Sequence, residues 1–406
     1  MKETDNGLLI ISILFAPDQR VGGKRFTFLS KIFENTYKNL HILTMDEKQI
    51  LDKDNTLWGG GTIHRVKMYP SFPTKNSPNF ISRIFYSLWR DYLCVLDPYS
   101  GWIIPAFIKA YKIYKKYNIS KVIITGPPFS PMMIGVLLSI FSKAKIIFDY
   151  RDPWSTHDWV NQNYFKKKSN SFFEKIAIKR ADGYVFCSGL MREKFFSNFH
   201  ENLDKPYSII TNGFYPKNGV RPIKLGSTDN IMIYTGNFYG ERQLSLILKP
   251  FATLVKDGTI DRKNFQLHIF GNLNDIDRRL IQQYSLDEII VEHSKVSYSK
   301  VIQYLKGSDF LFLPSGSDVE YAIPFKLFDY LSVRKPIFAV ASKNSSVAQL
   351  INELDCGVFS EIDNDLSIIV GLKCLISNKN KYTYKNIENY NWEKIAFRYI
   401  EFLHLI

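Results

Sequence analysis

Cysteine is scarce. Cys94, Cys187, Cys356 and Cys374 are the 4 in 406 residues, and no CxxC pair occurs. That excludes a disulfide framework and a cysteine-based zinc site, and it fits a reducing cytosol. Long apolar runs are also missing: none approaches the ~20 residues of a membrane span. The first apolar run, Gly7 to Ala16, follows Glu3 and Asp5 and ends in Pro17-Asp18. It reads as a buried first strand rather than a signal segment. Acid is in deficit, with 39 Asp and Glu against 53 Lys and Arg, a formal net charge of +14. Such an excess favours anionic partners: nucleotides, phosphates, anionic lipid or nucleic acid. Neither GxGxxG nor a Walker loop is present, so a Rossmann dehydrogenase and a P-loop NTPase have no support. No solenoid repeat and no low-complexity tract interrupts the chain.

What is present describes a folded α/β protein. Hydrophobic residues make up 45% and aromatics 15%, which excludes a disordered chain. The length exceeds one ordinary core and favours two domains. The stretch from Asp309 to Val340 shows the grammar best. An apolar run, Phe310 to Leu313, leads to a polar loop, Ser315 to Ala322. Pro324 then opens a run with helical spacing (Leu327, Phe328, Tyr330, Leu331), which Lys335-Pro336 stops before a second apolar run, Ile337 to Val340. Strand, loop, helix and strand follow from that punctuation. The strands lack alternation, as in a parallel sheet covered on both faces. Ligands of such sheets sit beyond the carboxyl ends of the strands, so Ser315 to Lys326 is where an anion would meet free backbone N–H groups and the positive end of a helix. The same grammar runs through both halves, and Lys217 to Asn230, polar and rich in Gly and Pro, is the best linker. The expected architecture is two Rossmann-like domains, residues 1–216 and 217–388, with a terminal helix over 389–406.

Several other stretches admit two readings. Gly22-Gly23, between a strand end and a helix start, either offers N–H groups to a ligand or makes a tight turn. The aromatic and basic stretch from Phe80 to Tyr117 reads as amphipathic helices with a solvated basic face, as a surface resting on a membrane, or as both. Asp149, Arg151 and Asp152 at a strand end either take part in chemistry or form an ion pair that shapes the loop. His157 is a candidate beside them. Lys166 to Lys168 reads as a solvated surface.

Taken together, the chain resembles the bacterial glycosyltransferases of family 4. The resemblance rests on GG after strand one, RDPW (Arg151 to Trp154), RADGYVFCS (Arg180 to Ser188), TNGF (Thr211 to Phe214) and YTGNF (Tyr234 to Phe238). It continues through SDFLFLPS (Ser308 to Ser315), PFKLFDYLSVRKPI (Pro324 to Ile337) and a terminal NWEKIA helix. It implies the GT-B fold, with the terminal helix crossing back to the first domain, and a retaining, metal-independent sugar transfer without a cofactor. No DxD-type metal loop lies at a strand end. In the second half it implies that Asp329 receives the ribose hydroxyls of a nucleotide-sugar, UDP-linked by expectation. Arg242 and Lys326 would offset charge on the diphosphate, and the backbone of Gly236, Asn237, Ala322, Pro324, Phe325 and Leu327 would surround it, with Gly22 and Gly23 lending N–H groups. Tyr321 stands where the family's first acid would fall, a departure. Arg151, Asp152 and His157 would orient the acceptor, a glycan or a polyprenyl-diphosphate-linked sugar. The setting implied is surface polysaccharide assembly (O-antigen or capsule) in the cytoplasm at the inner face of the membrane, without nucleic acid. A UDP-sugar 2-epimerase of the same fold, or a non-catalytic basic protein binding nucleic acid or membrane, are the alternatives.

Overall fold

GLLII near the start and IFAVA near residue 340 are apolar at every position, and both are buried along their whole length. A strand with no wet face belongs inside a parallel sheet covered on both sides. A computed structural model describes residues 7–69, 96–156, 164–199, 204–226, 228–238 and 240–406, and it holds two such sheets in two separate units. The first unit is Met1–Asn212 with Trp392–Ile406; the second is Gly213–Asn391.

In the first unit the described elements are β1 (Gly7–Ile11), α1 (Val21–Phe33), β2 (Leu40–Met45), β3 (Thr62–Val66), α2 (Ile103–Lys116) and β4 (Ile119–Gly126). After them come α3 (Met132–Phe141), β5 (Lys145–Tyr150), α4 (Tyr164–Arg180), β6 (Gly183–Phe186), α5 (Gly189–Asn198) and β7 (Tyr207–Ile209). The strands form a parallel sheet of order β3-β2-β1-β4-β5-β6-β7.

The second unit repeats the plan with β8 (Asn230–Thr235), α6 (Ser245–Lys256), β9 (Phe265–Phe270), α7 (Asp275–Gln283), β10 (Ile290–His293) and α8 (Tyr298–Gly307). It continues through β11 (Phe310–Pro314), α9 (Phe325–Val333), β12 (Ile337–Ala341), α10 (Ser346–Leu354), β13 (Gly357–Glu361) and α11 (Asp365–Ser377). Its sheet order is β10-β9-β8-β11-β12-β13, again parallel. The closing helix, α12 (Trp392–Leu405), lies on α1. Tyr399 meets Phe33 edge-on at 5.6 Å, and Trp392 lies 5.6 Å from Phe28.

Two boundaries lie a few residues from the sequence expectation, at 212/213 and 391/392 rather than at 216/217 and 388/389. The Phe214 N–H donates to the Tyr390 carbonyl at 2.9 Å. That bond joins the outgoing and returning chain inside the second unit. The Lys217 to Asn230 segment is irregular, as its composition suggests, yet it is not loose. Lys306 Nζ donates to the Lys217 carbonyl at 2.8 Å and Ile223 N–H to Gln303 at 3.0 Å. No helix among the described residues is long and apolar enough to cross a membrane.

Candidate functional site

Strand β8 ends at Thr235, and the chain must turn at once to reach α6. Gly236 makes that turn at φ +112, a conformation that L side chains rarely adopt. Its N–H donates to the Phe270 carbonyl at 2.9 Å. A Cβ at Gly236 would come within 3.2 Å of Lys326 Nζ, so the missing side chain is where the lysine comes in. Lys326 rises from the first turn of α9, whose start is set by Pro324 at the cap position without a side-chain hydrogen bond. The N–H groups of that first turn are the natural anion donors of the element.

The ammonium of Lys326 is held in place. Its Nζ donates to the Tyr234 hydroxyl at 3.0 Å and lies 4.2 Å from the centre of that ring. The Tyr234 hydroxyl donates in turn to the Asn237 carbonyl at 3.0 Å, and Phe238 stacks on the ring at 4.2 Å. Burial, and after it the charge of Arg242, lowers the Lys326 pKa to about 7 against a smaller upward pull from Asp329. Two cations and one carboxylate therefore share this corner of the second unit. Arg242 follows Glu241, whose carboxylate accepts from Ser317 N–H at 2.8 Å and Asp318 N–H at 3.1 Å, fixing the loop after β11 beside the arginine.

Asp329 stands one turn along α9 from Lys326. One of its carboxylate oxygens accepts the Tyr298 hydroxyl of α8. Burial, then the Asp329 charge, raises the Tyr298 pKa well above its ordinary value, so the phenol stays a donor. Ala322 N–H donates to Val319 at 2.8 Å, and Leu327 N–H donates to Pro324 at 3.0 Å. Phe325, Leu327 and Phe328 are buried and serve as core. Tyr321, in the place of the expected acid, is also buried, and its carbonyl accepts the Ser346 hydroxyl at 3.2 Å. Of the expected second-half residues, Gly236, Asn237, Arg242, Lys326 and Asp329 gather in one place, while Ala322, Leu327 and Phe325 contribute backbone turns and packing.

The first-half candidates behave differently. Gly22 and Gly23 are not in a loop; they form the first turn of α1. Gly23 N–H donates to the Arg20 carbonyl at 2.9 Å, so it is not a spare donor. Arg151 Nη1 donates to the Gly22 carbonyl at 2.8 Å, and Nη2 reaches the Pro127 carbonyl. A Cβ at Gly22 would stand 2.9 Å from that guanidinium. Arg151 thus ties the first turn of α1 to the loop after β4 through two backbone carbonyls. Asp152 follows it, half-buried. Trp154 of the same motif is core, stacked on Phe129 at 5.3 Å. His157 lies outside the described residues.

Sequence reasoning named Asp149 at its strand end but missed the buried partners around it. Arg25 of α1, fully buried, bridges Asp149 at 2.9 Å and donates to the Ile210 and Thr211 carbonyls, each at 2.8 Å. Asp149 also accepts from Thr125 at 3.0 Å and from the Tyr399 hydroxyl of α12 at 3.0 Å. The signal was available: a lone arginine beside Phe26, Leu29 and Phe33, all buried on the same helix, needs a buried acid. Cys187 lies close by, and burial pushes its thiol up to about 12, which removes it as a nucleophile. Among the described residues no group of three His, Cys, Asp or Glu side chains is placed to hold a metal ion.

Residues 220–392 match the model of the family described as glycosyl transferases group 1, a span that takes in almost all of the second unit, though less than half of the chain. No curated protein matches the sequence. Solved structures match in fold. Sucrose-phosphate synthase from Thermosynechococcus elongatus superposes with a TM-score of 0.68 at 13% identity, covering 98% of this chain and 98% of its own. The lipopolysaccharide outer core galactosyltransferase WaaB, in its apo form, gives 0.64 at 13%, covering 98% and 99%. The UDP-GlcNAc 2-epimerase from Methanocaldococcus jannaschii gives 0.55 at 11%, covering 98% and 100%. Such identities speak for fold: two Rossmann-like α/β domains of the GT-B class.

Proposed function

We propose that this protein is a glycosyltransferase that binds a nucleotide-sugar, UDP-linked, in its second unit and transfers the sugar with retention to a lipid-linked or glycan acceptor of surface polysaccharide assembly. The group 1 match over 220–392 gives the class. The single observation that carries the reading within it is the Lys326, Arg242 and Asp329 cluster around Gly236 and the start of α9. The chemistry follows from the donor set. Two cations and a helix start suit a diphosphate, and they stabilise the charge that builds on it as the glycosidic bond breaks. Asp329, steadied by Tyr298, can accept a ribose hydroxyl. In retaining transfer the leaving phosphate takes the acceptor's proton, so this chain supplies no base to the step and no metal is called on. Asp152 is a residual acceptor-side candidate in the first unit.

The test is a thermal-shift titration with UDP and UDP-sugars, followed by mass analysis of lipid-linked products. Wild-type protein should be stabilised by UDP. Arg242→Ala should keep the unliganded Tm, lose the UDP shift and lower transfer by roughly a hundredfold or more, the range for removing one charge-stabilising group. Asp329→Ala should also lose the UDP shift and transfer, with some loss of Tm because the buried Tyr298 hydroxyl loses its acceptor. Full transfer in both variants would refute the donor site. Conversion of UDP-GlcNAc without any acceptor would instead indicate an epimerase.

A further inference from the structure

Helices α2, α3 and α4 lie side by side on the first unit, with α3 against both neighbours. A helix on a sheet normally turns its apolar residues inward and its polar ones to water. These three do not. On α2 the outward stripe is Ile104, Ile108, Lys112 and Lys115, with Ile104 at 60% and Ile108 at 49% exposure. The end of α3 presents Ile140 and Phe141, and Phe141 lies 5.7 Å from Phe107 of α2, which makes the apolar surface continuous across the seam. On α4 the outward stripe is Phe165, Lys168, Phe172, Lys175 and Lys179, at spacings of three and four residues. Phe165 is 66% and Phe172 60% exposed. The sequence alone read Lys166 to Lys168 as a solvated surface; in the structure Lys168 shares a face with large exposed rings.

Among the described residues of these three helices the exposed charge has one sign. Neither α2 nor α3 contains an acid, and the one acid of α4, Glu174, is buried. Exposed aromatic and aliphatic groups ringed by lysine, on helices lying flat against the domain, match the interface between headgroups and acyl chains. A second copy using the same patch would set lysine against lysine. A nucleic acid would use the lysines and could stack on the rings, but would leave the isoleucines in water.

We propose that the face formed by α2, the end of α3 and α4 docks on an anionic phospholipid bilayer. Phe141, Phe165, Phe172 and the α2 isoleucines enter the headgroup boundary, and Lys112, Lys115, Lys168, Lys175 and Lys179 lie over the anionic headgroups. The proposal rests on surface chemistry and stands whether or not the second unit transfers sugar.

Vesicle flotation of the full chain tests it, with phosphatidylcholine vesicles compared with vesicles that also contain phosphatidylglycerol. Wild-type protein should float with the anionic vesicles only, and less so at high salt. Lys168→Gln and Lys175→Gln should each weaken binding roughly fivefold, the factor for about 1 kcal/mol per surface lysine. Phe165→Ser with Phe172→Ser should abolish flotation while the unliganded Tm and secondary structure stay unchanged, since both rings are exposed. Equal flotation with neutral vesicles, or full flotation of the phenylalanine variant, would overturn the proposal. So would absence of vesicle binding together with either salt-sensitive RNA binding or an oligomer that the phenylalanine variant dissolves.

Discussion

Lys326 shows how much one side chain can carry. An ammonium packed beside a phenol ring and near Arg242 loses solvation and gains a like charge, and its pKa falls to about 7; both effects disfavour the charged form. A bound diphosphate would reverse this by supplying negative charge. Binding of UDP should therefore take up a fraction of a proton near pH 7.5, and affinity should fall as pH rises above 7. Calorimetry in buffers of different ionisation enthalpy measures the uptake, and Lys326→Arg, always charged, should remove it. No buffer dependence in the wild type would mean that the amine is already charged when free. Position singled this residue out: a lysine two places after a helix-opening proline, beyond a strand's carboxyl end, stands where a helix start offers its N–H groups. Its partner Tyr234 and the Tyr298 that holds Asp329 were not legible. A phenol on a strand or at a helix start reads as packing, and 92 residues separate Tyr234 from Lys326 in the chain.

At the scale of elements, punctuation did most of the work. Pro324, Lys335-Pro336 and the unalternating apolar runs located β11, α9 and β12 to within a residue or two. Gly22-Gly23 lies at a helix start, as its place after the first strand suggested. The helix begins at Val21, and the bare Gly22 leaves room for the Arg151 guanidinium. One feature repeated in both sheets was invisible in sequence. His41 of β2 and His64 of β3 meet at 3.0 Å, and His268 of β9 and His293 of β10 meet at 2.8 Å. In each pair the second histidine stands two residues beyond the one in register with the first. Burial, then His41, Lys109 and Lys116, lowers His64 to about 4; burial and His293 lower His268 to about 4. A histidine depressed in the folded state favours folding above its unfolded pKa of roughly 6.5, and this contribution is lost as pH falls from there towards 4. The urea midpoint should therefore drop between pH 7 and pH 5, and His64→Phe with His268→Phe should flatten that drop. An unaltered pH profile in the double variant would place the acid sensitivity elsewhere.

At the scale of the whole chain, the first unit is closed by a segment that arrives only after the second unit is complete. Composition could suggest two domains, but not that residues 392–406 would supply a buried donor to an acid some 250 positions earlier. Asp149 sits where β5 ends, without exposure to water, and it needs every partner it has: Arg25 from α1, Thr125 from β4 and Tyr399 from α12. A carboxylate buried with one donor missing costs more than the hydrogen bond itself contributes. Burial raises the Tyr399 pKa well above its usual value, so the phenol donates at any ordinary pH. Tyr399→Phe leaves the ring against Phe26 and Phe33 and removes only the hydroxyl. It should destabilise the first unit by about 2 kcal/mol, the range for a bond to a charged group, and so speed exchange of the α1 and β5 amides by roughly thirtyfold where they open with the unit. Hydrogen exchange read by mass spectrometry separates the two units: amides in 213–391 should keep their wild-type rates. Equal protection of α1 and β5 in wild type and variant would show that Asp149 is satisfied by Arg25 and Thr125 alone, and that α12 is held by its rings rather than by this bond.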